Sequence, residues 1–200
     1  MIRKPNNWNE VTEMTERPKL PLGAYVCKIV KAAVETNSYG DQLIVGFDIA
    51  EGDYANFYRK DFDSNTAQNK KWRGQLRLWL PKDDGSDKDE ITKRVLKGFV
   101  SSVEKSNLGY QFDWNEASLA GKMVGILFRN EEYDFEGKHG WAVRPFRALS
   151  CASVREGSFT LPNDKPLNPL SNTSTATMPD PVPQYNPNNF VQVDDDELPF

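Results

Sequence analysis

The eight residues QLIVGFDI, Gln42 to Ile49, decide how the rest of the chain is read. Leu43, Val45, Phe47 and Ile49 recur at every second position, and a period of two places them on one face of an extended segment. The stretch therefore predicts a half-buried strand, with Phe47 on its core side. Just before it, Asn37, Ser38, Tyr39, Gly40 and Asp41 form a cluster of turn-favouring residues. Ahead of that turn, Leu20, Pro21, Leu22 and Gly23 lead into Ala24 to Val34, rich in β-branched and apolar residues with Lys28 and Lys31 interleaved. This run predicts a long first strand.

Downstream, Glu51, Gly52 and Asp53 make a tight connection to Tyr54 to Phe62. Taken as a third strand, this segment places Tyr54, Tyr58, Lys60 and Phe62 on one face and Phe57, Arg59 and Asp61 on the other, so at least one aromatic points outward. Ser64 to Leu80 carries Gln68, Trp72, Leu76 and Trp79 at helical spacing among Lys70, Lys71, Arg73 and Arg77. Ser64 or Thr66 is a candidate cap and Pro81 a stop, although Gly74 weakens the case for an unbroken helix. A charged loop, Lys82 to Lys88, leads to a capping pair of Asp87 and Glu90. Ile91, Val95, Leu96, Phe99, Val100 and Val103 then define an amphipathic helix that stops near Asn107 and Gly109, a scaffold element for the open end of a sheet.

Asn115 to Leu119 reads as one further turn. Lys122 to Arg129 alternates again, with Val124, Ile126 and Phe128 inward. Glu131 to Gly140 reads as a polar hairpin loop tipped by Tyr133, Phe135 and His139, and Trp141 to Leu149 as a closing strand. The order is three strands, a helical insertion between strands three and four, then a two-stranded hairpin. This predicts a mainly β domain, an OB-fold-like five-stranded barrel, which commonly binds oligonucleotides across its second and third strands and nearby loops. A mixed sheet with helices on one side fits the same pattern.

Four regions follow: a loose arm over 1–19, the barrel domain over 20–160, a disordered linker over 161–193 and an acidic docking tip over 194–200. The linker expectation rests on seven prolines among Asn, Ser and Thr between Pro162 and Val193, with few large apolar residues to offset the entropy of ordering. The tip joins Asp194, Asp195, Asp196 and Glu197 to Leu198, Pro199 and Phe200, so charge and an apolar anchor stand together. Net charge divides along the same boundary: residues 1 to 160 carry +1 and residues 161 to 200 carry −5. A nearly neutral body has no general positive field, so nucleic acid would have to be held in a local groove where bases also stack.

Other classes are disfavoured. No run of 18 or more apolar residues is present to span a membrane, and Met1 to Lys19 lacks the apolar centre of a signal peptide, so a cytoplasmic location is expected. Cys27 and Cys151 stand far apart without Cys or His neighbours, which indicates neither a zinc site nor a disulfide framework. Catalysis is not expected: His139, the sole histidine, lies in a glycine-flanked turn, and no phosphate-binding loop occurs. Asp48, Glu51, Asp53, Asp61 and Asp63 keep a metal-dependent nuclease as the remote alternative. No cofactor is expected, and subunit number, a homo-oligomer included, is left open.

Binding an unpaired strand takes flat side chains for bases and cations for phosphates. The candidate set is Tyr54, Tyr58, Arg59 and Lys60; Lys70, Lys71, Trp72 and Arg73; and Tyr133, Phe135, Trp141, Arg144 and Arg147. Such contacts do not read base identity, so the expected binding is indifferent to sequence and steeply salt-dependent. The main rival is a body that serves as a protein–protein adaptor.

Two resemblances bear on this. The tip, acids followed by Leu198, Pro199 and a terminal Phe200, resembles that of bacterial and phage single-stranded DNA-binding proteins, which implies recruitment of replication, recombination and repair enzymes. The body is similar to a family of small proteins encoded by phages and prophages of Gram-positive bacteria. The likeness lies in Leu20 to Tyr25, Ile49 to Gly52, Glu104, Ser106, Asn107 and Gly109, in Trp114 to Glu116 with Leu119, Gly121 and Lys122, and in Glu131 to Tyr133 with Gly137 and Lys138. Arg155 to Gly157 with Pro162 continue it. It implies an OB-like single-stranded DNA-binding role beside replication and recombination genes.

Overall fold

A computed structural model of the chain describes residues 2–10 and 19–167. The linker from residue 168 onward, and the tip Asp194 to Phe200 with it, lie outside the described residues, as do residues 11–18 of the expected arm. Residues 2–10 are exposed, irregular over 2–5 and a turn over 6–10, with Trp8 on that turn.

Two long strands open the domain, β1 (Ala24–Asn37) and β2 (Gly40–Ile49), antiparallel across the turn read from the sequence. The Asn37 side chain accepts from the Tyr39 amide at 2.8 Å, and Gly40 takes a φ of +137° that few other residues tolerate. A bulge between Ile29 and Lys31 bends β1. The third strand, β3 (Gln75–Trp79), pairs with β2, and β4 (Met123–Phe135) pairs with both β1 and β5 (Lys138–Leu149). The result is a five-stranded, fully antiparallel sheet in the order β3-β2-β1-β4-β5. Phe47, Ile29, Ile49, Ile126, Phe128 and Val124 fill one core with Phe99 and Val103 of the long helix. Phe47 meets Tyr58 and Phe128 edge to face at 5.5 and 6.2 Å.

Tyr54 to Phe62 is not a strand: Phe57–Ser64 forms a helix, α1. The reason lies upstream, in Asp48. Its carboxylate accepts the amides of Ile49 (2.9 Å), Tyr58 (2.9 Å) and Arg59 (3.1 Å), so a side chain from β2 satisfies the first turn of α1. Asn56 ahead of the helix is left-handed and gives it no side-chain cap. Ser64 to Leu80 is correspondingly not a helix. Gly74 is pressed so closely on its neighbours that a Cβ there would lie 2.3 Å from the Phe47 carbonyl oxygen and 2.7 Å from the Tyr58 ring. Leu76 and Leu78 are buried while Arg77 and Trp79 are exposed, the period of a strand.

The expected amphipathic helix is α2 (Asp87–Ser106), which begins one residue after its true cap, Ser86, whose hydroxyl accepts from the Asp89 amide at 3.2 Å. Asn107 closes it: the Asn107 amide donates to the Val103 and Met123 carbonyls at 2.7 and 2.8 Å and its oxygen accepts from the Met123 amide at 2.9 Å. A 3-10 turn, Glu116–Leu119, follows where one was expected. The polar loop expected over Glu131 to Gly140 is mostly ladder, because β4 and β5 run on to a two-residue turn at Glu136 and Gly137, with φ of 51° and 74°. A short helix, α3 (Cys151–Arg155), was not foreseen. Both cysteines are buried and free.

The start of the expected linker stays on the domain. Lys165 donates its amide to the Asn130 carbonyl (2.9 Å) and accepts from Glu132 (3.0 Å), and the Leu167 amide reaches the Glu132 carboxylate at 2.9 Å. Among the described residues no helix is long and apolar enough to cross a membrane.

Candidate nucleic-acid interface

Between the two outer strands of the sheet, β3 and β5, lies a cleft of about 830 Å³. One wall is α1 and the residues that lead into β3; the other is the ribbon formed by β4 and β5. Lys19, Arg73, Arg77 and Arg144 bring four cations to it, and Trp72, Tyr133 and Trp141 bring rings. Two carboxylates, Asp61 and Glu131, also line it. Each cation is where it is for a local reason. Arg77 sits on the outward side of β3 because Leu76 and Leu78 take the inward side, and Arg144 is exposed on β5 opposite Arg129.

The rings are held differently. Trp72 is half-buried and anchored, with its indole N–H donating to the carbonyls of Phe47 (3.0 Å) and Gly74 (3.1 Å) and its ring 5.7 Å from that of Phe62. Tyr133 lies over Gly140, its cross-strand partner, where a Cβ would meet the phenol oxygen at 2.9 Å. Trp141, 50% exposed, is the freest ring of the cleft. Trp141 stands across from Glu132 in the ladder.

Of the residues singled out from sequence, the structure brings Tyr58, Trp72, Arg73, Tyr133, Trp141 and Arg144 to this cleft. Tyr58 contributes to its floor only. It is 8% exposed and packs on Phe47, so it offers no face to a base, and burial first of all pushes its hydroxyl far above the ordinary phenol value. The others lie elsewhere. Tyr54 packs edge to face on Tyr25 and Phe57 at 5.8 and 6.3 Å. Arg59 faces Asp63 at 3.8 Å and Lys60 is exposed beside it on α1. The Lys70 ammonium sits 4.4 Å over the Phe62 ring, and Lys71 is exposed. Phe135 is 67% exposed near the ribbon tip, and Arg147 is exposed with its guanidinium 6.0 Å from the Phe146 ring.

Lys19 and Arg77 were missed, and so was a second aromatic group beyond Arg77. There Trp79 and Tyr39, both exposed, line a smaller cavity of about 260 Å³ with Lys82 and Lys88. The signal for Arg77 and Trp79 was the alternation Gln75 to Trp79, which helical spacing of the tryptophans had masked.

Four of the five carboxylates that suggested a nuclease, all but Asp53, have other partners. Asp48 caps α1, and Glu51 takes a two-point contact from Arg155 at 3.1 and 2.7 Å that lowers its pKa. Asp61 faces Arg73 at 3.6 Å and Asp63 faces Arg59. His139 sits outside the cleft with its Nε2 2.9 Å from Glu132.

Fold and cleft together define an antiparallel β domain with a cationic, aromatic-walled groove at the junction of its outer strands. No protein-family model matches the chain, and the search of curated proteins found no match to it.

Proposed function

We propose that this is a non-enzymatic, OB-type single-stranded DNA-binding protein that covers exposed strands in phage replication or recombination and engages partner enzymes through Asp194 to Phe200. The observation that carries the reading is the convergence of Lys19, Arg73, Arg77 and Arg144 with Trp72, Tyr133 and Trp141 on one groove. Cations set among flat side chains are what a flexible polyanion with exposed bases needs, and each stacked base contributes about 1 to 3 kcal/mol. The strand order, with a helix between the third and fourth strands, is the connectivity expected of an OB barrel. Arg77 and Trp79 are two apart on β3 and share its outer face, so the path of a bound strand continues from the cleft toward Trp79 and Tyr39.

The rival adaptor reading draws on a different feature, an apolar groove of about 560 Å³ beside α2 lined by Pro81, Leu96, Val100 and Trp114. Trp114 is 76% exposed and held at a φ of 63°, a costly conformation for a bulky residue. Titration of labelled oligo-dT separates the two readings. Binding that weakens steeply with added salt supports the DNA reading, and absence of binding at about 50 mM salt supports the adaptor. Incubation of the strand with Mg²⁺ or Mn²⁺ tests the remaining nuclease alternative.

A further inference from the structure

We propose that Asp61 is a built-in competitor for phosphate: it occupies Arg73 in the free cleft, yields it to an incoming strand, and so sets the affinity of the site. This rests on the reading of the cleft as a polyanion groove. The Arg73 Nε lies 3.6 Å from the Asp61 Oδ2, longer than the roughly 2.7 to 2.9 Å of a charge-assisted hydrogen bond. The two ions are therefore associated without a shared proton, and exchange of one anion for another breaks no short bond.

The pair is also placed for exchange. Asp61 follows buried Tyr58 by three residues on α1, so the turn that inserts the tyrosine into the core presents the carboxylate at the cleft wall. Its side chain is only 17% exposed, whereas that of Arg73 is 55% exposed. Arg73 is flanked by anchored Trp72 and by Gly74, which is packed so closely that a Cβ would lie 2.3 Å from the Phe47 carbonyl oxygen. The contacts of its neighbours hold the chain here, and the half-exposed guanidinium is the part left outside them.

The other charges of the cleft behave differently. Glu131 is already satisfied by Arg129 at 2.6 Å and Lys165 at 3.8 Å. Among the described residues Lys19, Arg77 and Arg144 have no carboxylate within ion-pair distance, Arg77 donating instead to the neutral Gln75 side chain at 3.1 Å, so they meet a phosphate without displacing another anion. Asp61 and Arg73 are thus the pair in the cleft whose partner must change. When a phosphate takes Arg73, the freed carboxylate gathers a cation from solution, which offsets one of the counterions released from the DNA.

The test compares the full chain with its Asp61→Asn, Asp63→Asn and Asp61→Asn/Arg73→Gln variants in oligo-dT titrations across a salt series. Asp63 is the control, since it removes the same charge two residues away, opposite Arg59 and off the cleft. Asp61→Asn is expected to bind about two- to fivefold tighter at low salt, the scale of an exposed ion pair. Its log–log salt slope should be steeper by about 0.7, the increment of one phosphate on a single strand. Asp63→Asn should leave both unchanged, and Arg73→Gln should erase the gain. Equal or weaker binding by Asp61→Asn, or the same gain from Asp63→Asn, overturns the proposal. An Asp61→Ser variant carries the same test should the asparagine form fold poorly. Inorganic polyphosphate serves as a second probe. Tighter polyphosphate binding by Asp61→Asn, with no oligo-dT bound by any form, would sink the DNA reading and leave the competitor standing.

Discussion

Replacing Asp48 with Ala should be among the most damaging single changes in this domain, although the residue touches no ligand. The residue is 9% exposed and its two carboxylate oxygens accept three backbone amides, those of Ile49, Tyr58 and Arg59. Hydrogen bonds to a charged group contribute roughly 1.5 to 3 kcal/mol each, but three on one carboxylate are not additive. Loss of a helix cap alone costs about 0.5 to 2 kcal/mol, and a buried amide left without a partner about 1 to 3. Together these place Asp48→Ala at about 3 kcal/mol, equivalent to about 6 to 12 °C of melting temperature for a domain of this size. Asp48→Asn keeps one acceptor while turning an NH2 toward the amides, so it should lose about half as much. Urea unfolding followed by circular dichroism measures both. A midpoint for Asp48→Ala within about 0.5 kcal/mol of the parent would refute the claim that this carboxylate holds the start of α1.

Four further outcomes follow from the same geometry. Gly74→Ala would place a Cβ 2.3 Å from the Phe47 carbonyl, with backbone on one side and a buried ring on the other, so it should destabilise by about 3 kcal/mol or more in the same urea assay. Arg144→Gln should weaken oligo-dT binding and reduce the log–log salt slope by about 0.7 without moving the unfolding midpoint, while Trp141→Ala should cost about 1 to 3 kcal/mol of affinity with little change of slope. Acid titration of unfolding should show a loss below about pH 4. Desolvation of Asp89 acts to raise its pKa, but Lys93 at 3.0 Å and the amides of Lys82 and Asp83 hold it below its ordinary value of 3.8. A carboxyl depressed by folding stabilises the protein above its unfolded pKa and ceases to do so as pH falls through its folded one, so Asp89→Asn should flatten that limb.

Where a side chain's own period decided the structure, the sequence was sufficient. Leu43, Val45, Phe47 and Ile49 alternate into the core, and Leu96, Phe99 and Val103 repeat on the packed face of a helix, so β2 and α2 were legible, although Ile44 and Asp48 are buried on the other side of β2 and Ile91 and Val95 are exposed on α2. Tyr54 to Leu80 was not, because its structure is set from a distance. The α1 helix needs a carboxylate from β2, and the entry to β3 needs a glycine that fits between Phe47 and Tyr58. Neither partner is near in sequence, and two tryptophans at helical spacing masked the shorter alternation of Gln75 to Trp79. The candidate site was legible in kind and only partly in membership. Rings and cations do converge, but the exchange of strand for helix turned Tyr58 into the core and left Lys60, Lys70 and Lys71 outside, while Arg77 gained a place. The hairpin of β4 and β5 was expected, but Glu131 to Gly140, which carries Tyr133, is ladder and not the loop read from its polar composition.

The most direct measurement is the intrinsic fluorescence of the full chain titrated with unlabelled oligo-dT at several salt concentrations. Trp141 is half-exposed in the cleft and Trp72 forms part of its wall, so strand entry should quench tryptophan emission. The apparent affinity should fall linearly with salt on logarithmic axes, and Trp141→Phe should remove much of the signal. Emission unchanged at saturating oligo-dT and about 50 mM salt, in a protein shown to be folded, would contradict the account.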